Sequence, residues 1–189
     1  MQNNAHAATW MRGITTTGYK QVTLSMDIRF HHIDSFSDGA GGTHLFGLSA
    51  VCGAHACDRS ATIEQRLVRL DFSRPGRNGV RMTLYNGDIG WRQETAVDFN
   101  INNVWSLETW NHIEVDARIT GTDLTIKVTY NNDPTKSITK TIRNIRSGDV
   151  GWKDIYVGNM DRRCPPDHLE GLCQSFKIDF RDITWSGSL

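Results

Sequence analysis

The stretch from Trp105 to Asn132 constrains the fold more than any other part of the chain. Apolar residues alternate with polar ones along two consecutive segments, and Gly121 lies between the segments. A period of two is typical of a strand with one buried face, and a short turn between two such segments predicts an antiparallel hairpin. The predicted buried face consists of Ile113, Val115, Ala117, Ile119, Leu124, Ile126, Val128 and Tyr130.

The same alternation recurs on both sides of this hairpin. It is clearest in the segment 21–30, and it returns around residues 68–72, 80–84, 97–101 and 176–180. Short turn signals separate the segments, and no stretch has the period of an amphipathic helix. About ten predicted strands of this kind indicate an all-β fold, a two-sheet antiparallel sandwich of the jelly-roll type.

Two irregularities in the pattern carry further predictions. Lys140 interrupts the apolar face of the segment 137–142, which favours an edge strand. After Phe180 the apolar positions change from even to odd numbers, because Ile183 and Trp185 follow Ile178 and Phe180. An extra residue in one strand of a pair produces this change, so we predict a β-bulge near Arg181 and Asp182.

Length and charge limit the possible classes. The 189 residues suit a single domain, residues 1–189, of which residues 1–12 are expected to be disordered or foreign to the domain. The 21 basic residues balance the 21 acidic ones, which argues against nucleic acid as a partner. No apolar run approaches the roughly 20 residues of a membrane span, and "MQNNAHAATW" lacks the features of a secretory signal. The chain could still be one domain of a larger multidomain protein.

The four cysteines form two local pairs, Cys52 with Cys57 and Cys164 with Cys173. Each pair brackets a short loop, a spacing that suits a disulfide closing a loop between strands and therefore a secreted, extracellular or periplasmic protein. Zinc bound by these cysteines with His55 and His168 is a less favoured alternative, because neither spacing matches a zinc knuckle. Free thiols are the third reading.

The order of the predicted strands resembles the concanavalin A-like jelly roll, the superfamily of laminin G-like domains, legume lectins, pentraxins and several polysaccharide-acting enzymes. "VTLSMDIRF" resembles the opening strand of that superfamily, "TWNHIEVDARITGTDLTIKV" resembles its hairpin, and "IYVGNM" with "FKIDFRDITW" resembles its closing strands. The resemblance spans most of the chain. It implies a carbohydrate-binding, lectin-like domain that recognises a polysaccharide on a concave sheet face.

"GGTHLFGLSAVCG" followed by "RLVRLDFSRPGRNGVRMTLYN" also looks like the early strands of jelly-roll polysaccharide lyases. Those enzymes tend to carry a lysine and a proline where this chain has Thr43 and Phe46. The glucanase pattern of three carboxylates is incomplete here, because Ile119 follows Glu114 and Asp116. If the chain is an enzyme, a lyase that cleaves a uronate glycan by β-elimination is therefore favoured over a glycoside hydrolase.

The candidate glycan-binding residues are outward positions on two neighbouring strands and two loop tryptophans. Arginine suits a sugar carboxylate or sulfate, and an exposed aromatic ring can pack on a pyranose. In a lyase, Arg69 or Arg81 would neutralise the uronate, Tyr85 would act as base or acid, and His31, His32 or His112 would carry a second proton. The ligand-binding candidates are Arg69, Arg81, Thr83, Tyr85, Trp91 and Trp152.

Each candidate has a plainer interpretation. The strand residues are equally typical of a solvated face, and either tryptophan could fold over the end of the core. Asp34 and Asp38 could bind a structural calcium ion, although Asx turns fit them as well, so we expect either no cofactor or calcium. A third functional hypothesis is a structural or adhesive domain of a larger assembly.

Overall fold

In the computed structural model, residues 11–31, 44–49, 69–76, 78–86, 93–145, 151–160 and 178–189 are described. These ranges contain β-strands and no helix, so none of their segments is an apolar helix of membrane-spanning length. The strands are β1 (Met11–Tyr19), β2 (Gln21–Phe30), β3 (His44–Ser49), β4 (Arg69–Gly76), β5 (Gly79–Asn86), β6 (Gln93–Asn100), β7 (Trp110–Thr120), β8 (Asp123–Tyr130), β9 (Asp133–Ile142), β10 (Trp152–Met160) and β11 (Ile178–Ser188).

The strands form two antiparallel sheets. The six-stranded sheet has the order β1-β10-β3-β4-β5-β6, and the five-stranded sheet has the order β11-β2-β7-β8-β9. The chain changes sheet after β1, β2, β6, β9 and β10, so strands distant in sequence become neighbours. This arrangement confirms the predicted all-β, two-sheet jelly-roll sandwich.

The core lies between the sheets and is built by the alternation that the sequence shows. Strands β7 and β8 form the predicted hairpin, in which Ile113 pairs with Tyr130 and Ile119 pairs with Leu124. All eight residues of the predicted apolar face are buried, and the alternate residues are half-buried or exposed. From the opposite sheet, Phe46, Met82 and Phe99 close the same core with no exposed surface.

Strand β11 contains the predicted bulge. Arg181 pairs with Asp27 and Thr184 pairs with Ser25, so two residues of β11 lie opposite Met26 of β2. Asp182 takes up the extra length with a φ of 51°, a left-handed conformation. After the bulge Trp185 lies opposite Leu24, whose side chain is buried, so both halves of β11 direct apolar residues toward the core.

Strand β9 confirms the prediction of an edge strand, because it ends the five-stranded sheet. Lys140 lies opposite the buried Ile126 and is exposed. Strand β1 was not predicted, since its sequence "MRGITTTGY" lacks apolar alternation. It nevertheless pairs with β10 from residue 11 onward. Residues 11 and 12 therefore belong to the sheet, which corrects the prediction that they lie outside the fold.

Candidate functional site

The predicted glycan-binding residues of β4 and β5 are adjacent in the six-stranded sheet. Arg69 pairs directly with Tyr85, while Arg81 and Thr83 occupy alternate positions along β5. Met82 and Leu84 are buried, so Arg81 and Thr83 belong to the face of β5 that points away from the core. Directly opposed residues of an antiparallel pair have Cβ atoms about 5 Å apart, so the backbone places residues 69 and 85 side by side.

Arg81 is held by a neighbouring strand. Its Nε donates a hydrogen bond of 2.7 Å to Oδ1 of Asp98, and its terminal amino group reaches Oδ2 at 3.3 Å. Both side chains remain substantially exposed, at 38% and 46%. The paired arginine is thus orientated by β6 while its outer surface stays accessible.

His31 does not join this set. It follows β2 in the five-stranded sheet, where its Nε2 lies 2.9 Å from Oδ2 of Asp179 and its Nδ1 lies 2.7 Å from Oε2 of Glu108. Arg69, Arg81 and Tyr85 belong to the other sheet, on the opposite side of the sandwich. The predicted lyase set is therefore corrected: the structure does not bring His31 near Tyr85. His112 lies on the five-stranded sheet as well.

Trp152 is a core residue. Its side chain is fully buried, and its Nε1 donates a hydrogen bond of 3.0 Å to the carbonyl oxygen of Ala117 in the opposite sheet. This position replaces the predicted ligand-binding role with packing between the two sheets, the alternative interpretation of that tryptophan. The reason is that β10 begins at Trp152, where the sequence indicated a loop.

Several other candidates fall outside the described residues. They are Trp91, His32, the calcium candidates Asp34 and Asp38, and the cysteines Cys52, Cys57, Cys164 and Cys173. The predictions for the disulfides and for calcium stay predictions. Among the residues that the structure does describe, no group of three His, Cys, Asp or Glu side chains could hold a metal ion.

A second candidate site, which we call the Trp110 cleft, lies at the β11 side of the five-stranded sheet. The cleft has a volume of about 560 Å³. The guanidinium carbon of Arg29 lies 4.9 Å from the ring centroid of Trp110, and that of Arg181 lies 4.2 Å from it. Its lining is Arg29, Trp110, Val157, Ile178, Asp179, Phe180, Arg181 and Ile183.

The charged groups of this cleft hold one another in place. Arg29 donates from Nε to Oδ2 of Asp179 at 3.0 Å and makes a second, shorter contact through its terminal amino group. The same carboxylate oxygen meets His31. His31 also contacts Glu108, which connects the segment before β7 to β2 and β11. Strand β11 is thus fixed at its first residues by polar contacts on the outer face.

Asp27 is the centre of a further network on the same face. His112 Nδ1 lies 2.8 Å from Oδ1 of Asp27, and Arg181 Nε donates to Oδ2 at 3.1 Å. Burial alone would raise the pKa of this carboxyl, but the hydrogen bonds and charges of His112 and Arg181 outweigh burial and lower it. The other ring nitrogen of His112, Nε2, lies 3.2 Å from the hydroxyl of Ser25.

Sequence reasoning missed both features of this face. The alternation of β2 and β7 does place Ser25, Asp27, Arg29, Trp110 and His112 opposite the buried residues. The missing information is the register, because Asp27 pairs with His112 across a separation of 85 residues. The sequence did offer one signal: the outward residues of β2 are all polar, and β7 carries an outward tryptophan, Trp110.

Comparisons with known proteins identify folds of similar shape and no family. No protein-family model and no curated protein matches this sequence. Lectin II from Ulex europaeus has 10% identity and a TM-score of 0.48, covering 96% of this chain and 83% of the lectin. A scytalido-glutamic peptidase has 13% identity and a TM-score of 0.47, covering 96% and 81%. The alginate lyase from Klebsiella pneumoniae has 12% identity and a TM-score of 0.45, covering 89% and 60%.

Proposed function

We propose that this chain is a glycan-binding domain and that the Trp110 cleft is its principal site. The observation that carries the proposal is the grouping of Trp110, Arg29 and Arg181 in one open cleft of about 560 Å³. Small-molecule sites are typically clefts of about 300–1,000 Å³ that combine apolar or aromatic surface with a few fixed polar groups. A sugar ring has the matching surfaces, an apolar C–H face and a rim of hydroxyl groups.

The polar groups of the cleft are suited to hydroxyl groups. Arg181 is 48% exposed and engages Asp27 and Asp182 through its Nε. Its guanidinium lies over the Trp110 ring, and among the residues that the structure describes no hydrogen bond engages its terminal amino groups, so they can donate to a ligand. Asp179 supplies a fixed carboxylate in the same lining.

The charge around the cleft favours an uncharged glycan. Arg29 and Arg181 provide two positive charges, and their partners Asp27, Asp179 and Asp182 provide three negative ones. A polyuronate would meet net repulsion at short range, whereas a neutral sugar would find donors and acceptors alternating along the lining.

A second candidate function uses the six-stranded sheet. The direct pairing of Arg69 in β4 with Tyr85 in β5, with Arg81 also in β5, supports binding of an acidic glycan there. The same pairing supports a lyase in which an arginine neutralises the uronate and Tyr85 moves the proton. Such a lyase would work without His31 and would take its second proton carrier from water or the substrate.

The experiment is binding by calorimetry to panels of neutral and acidic oligosaccharides, with and without calcium. We expect a neutral oligosaccharide to bind, and we expect Trp110→Ala and Arg181→Ala each to weaken the affinity by at least about ten-fold. The matched control is Trp185→Ala, which removes a 37% exposed tryptophan at the other end of β11 and is expected to leave the affinity unchanged.

The other outcomes distinguish the alternatives. Binding of only acidic glycans, lost in Arg81→Ala but retained in Trp110→Ala, would replace the cleft with the six-stranded face. A rise in absorbance of an unsaturated uronate would make that face a lyase. No binding to either panel, with a stable symmetric oligomer in solution, would overturn glycan binding in favour of a structural or adhesive role.

A further inference from the structure

Three side chains on the outer face of the five-stranded sheet have the relative positions of a nucleophile, a base and an orienting carboxylate. The hydroxyl of Ser25 lies 3.2 Å from Nε2 of His112. Nδ1 of His112 lies 2.8 Å from Oδ1 of Asp27. Ser25 and Asp27 are alternate residues of β2, and Asp27 pairs directly with His112 of β7. Two strands of regular geometry therefore hold all three groups.

The assignment of the two ring nitrogens matters most. When Nδ1 donates its proton to the carboxylate, Nε2 is left as an acceptor and can receive the proton of the serine hydroxyl. The second oxygen of Asp27 accepts a hydrogen bond from Arg181 at 3.1 Å, so the carboxylate cannot easily rotate away from the imidazole. We propose that Ser25, His112 and Asp27 form an acyl-transfer site that hydrolyses small, uncharged or cationic acyl esters.

The reaction uses water as its only co-reactant. The oxygen of Ser25 forms a bond to the ester carbonyl carbon while His112 takes the hydroxyl proton. Collapse of the tetrahedral intermediate breaks the bond to the alcohol oxygen, and His112 returns the proton to that oxygen. Water then attacks the acyl-serine with His112 as base again, which releases the carboxylic acid and restores Ser25. Asp27 acts through His112 and is a positioning residue.

The neighbours of Ser25 determine the class of ester. Strand β2 is paired with β7 on one side, and with β11 on the other side except at the bulge opposite Met26. Thr184 of β11 is paired directly with Ser25, and we assign its hydroxyl as the side-chain donor to the developing oxyanion. On the other side Ser25 is paired with Glu114, whose carboxylate repels anionic acyl groups.

Asp116, a further charged residue on this face, is already hydrogen-bonded to β2. Asp116 accepts hydrogen bonds from Gln21 at 2.6 Å and from Thr23 at 3.0 Å. The Trp110 cleft does not include Ser25 in its lining, so no described pocket selects a large acyl group. A small acyl group on an open sheet face fits this arrangement.

The test uses the wild-type chain with a fluorophosphonate probe and with 4-nitrophenyl acetate. We expect one covalent adduct, mapped to Ser25 by mass spectrometry, and ester hydrolysis about 10²–10⁴-fold above the buffer rate. Ser25→Ala is expected to abolish both. The matched control is Ser137→Ala, because Ser137 faces the hydroxyl of Thr129 at 3.0 Å and no histidine. This control should retain full activity.

Further variants separate chemistry from structure. Asp27→Asn should lower kcat with little change in KM, and Asp27→Glu should restore part of kcat. Glu114→Gln should raise the rate with mono-4-nitrophenyl succinate relative to the acetate. An adduct elsewhere than Ser25, or hydrolysis by Ser25→Ala equal to that of the wild type, overturns the proposal. Both results are independent of whether the Trp110 cleft binds a glycan.

Discussion

The hydroxyl of Tyr130, in the five-stranded sheet, donates a hydrogen bond of 2.6 Å to the carbonyl oxygen of Phe99 in the six-stranded sheet. The same hydroxyl accepts a hydrogen bond of 3.1 Å from the backbone amide of Val80. Both bonds are buried, and the ring of Trp105 packs edge-on against that of Tyr130 at a centroid distance of 5.1 Å. One side chain thus joins the end of β8 to the pair β5–β6.

Replacing Tyr130 by phenylalanine should lower the free energy of unfolding by about 1–3 kcal/mol, because two buried backbone groups lose their partner. Urea denaturation followed by circular dichroism measures the change. The control is Tyr19→Phe, because the ring of Tyr19 contacts Trp185 at the rim of the sandwich. It should change stability by no more than about 0.5 kcal/mol.

The wild type and Tyr130→Phe should also differ in how their stability depends on alkaline pH. Burial raises the pKa of the Tyr130 hydroxyl above its usual range, so the folded chain keeps this proton after the unfolded chain has lost it. The stability that this raised pKa contributes to the folded chain is complete below about pH 10. It is lost as the pH rises further, by roughly 1.4 kcal/mol per pH unit. The stability advantage of the wild type over Tyr130→Phe should therefore shrink above pH 10. A constant difference would contradict the assignment.

Two glycines with positive φ should respond differently to alanine. Gly79 has a φ of +123°, and a Cβ there would lie 2.6 Å from the Tyr130 hydroxyl and against the carbonyl oxygen of Phe99. Gly121 has a φ of +59° in the β7–β8 turn with open space around it. Gly79→Ala should cost more than about 2 kcal/mol, and Gly121→Ala about 1 kcal/mol. Equal costs in thermal unfolding would contradict the crowding argument.

The bulge in β11 predicts that two neighbouring single-residue deletions differ strongly in their cost to stability. Removing Asp182 leaves Ile183 opposite Met26 and keeps the later pairings, so stability should change by no more than about 1 kcal/mol. Removing Ile183 instead leaves Asp182 opposite the buried Met26 and should cost more than about 2 kcal/mol, since a carboxylate then faces the core. Urea denaturation of both deletions measures the contrast, and similar losses would show that the bulge is fixed by something other than this alternation.

Asp27 predicts a loss of stability in acid. Its lowered pKa, which results from His112 and Arg181 despite partial burial, means that the unfolded chain binds this proton at a higher pH than the folded chain. The Asp27 carboxylate therefore contributes to the free energy of unfolding above its unfolded-state pKa of about 3.9. This contribution disappears as the pH falls through its folded-state pKa. The midpoint of urea unfolding should differ between wild type and Asp27→Asn at pH 6, and the difference should shrink as the pH falls below about 4. Asp123→Asn at the hairpin tip is the control and should match the wild type throughout.

The sequence predicted burial well because burial depends on each strand's own alternation. Val22, Met26 and Phe30 are buried as their even spacing indicated, and the bulge followed from one change of phase. The burial of Trp152 was harder to predict, because the glycine before it suggested an exposed loop. Its ring instead fills space between the sheets. Strand β1 lies at the edge of its sheet and its sequence carries no alternation to detect.

The candidate sites depend on register, which sequence alternation does not specify. Ser25 and His112 are 87 residues apart, and His31 and Asp179 are 148 residues apart. Their proximity results from the placement of β2 between β7 and β11. The register of a strand with its hairpin neighbour could be predicted from the sequence. The register of a strand that lies between two strands distant in sequence could not.

The position of Lys140 has a consequence for the behaviour of the protein at high concentration. Among the strands that the structure describes, β9 is paired only with β8, so its other side offers backbone groups on which another chain could extend the sheet. Lys140 stands on the core-facing side of that strand, opposite Ile126. A strand added there would have to cover an ammonium group and strip its water. Aggregation through this margin of the sheet is therefore disfavoured, and Lys140→Leu would remove the protection while leaving the native core unchanged.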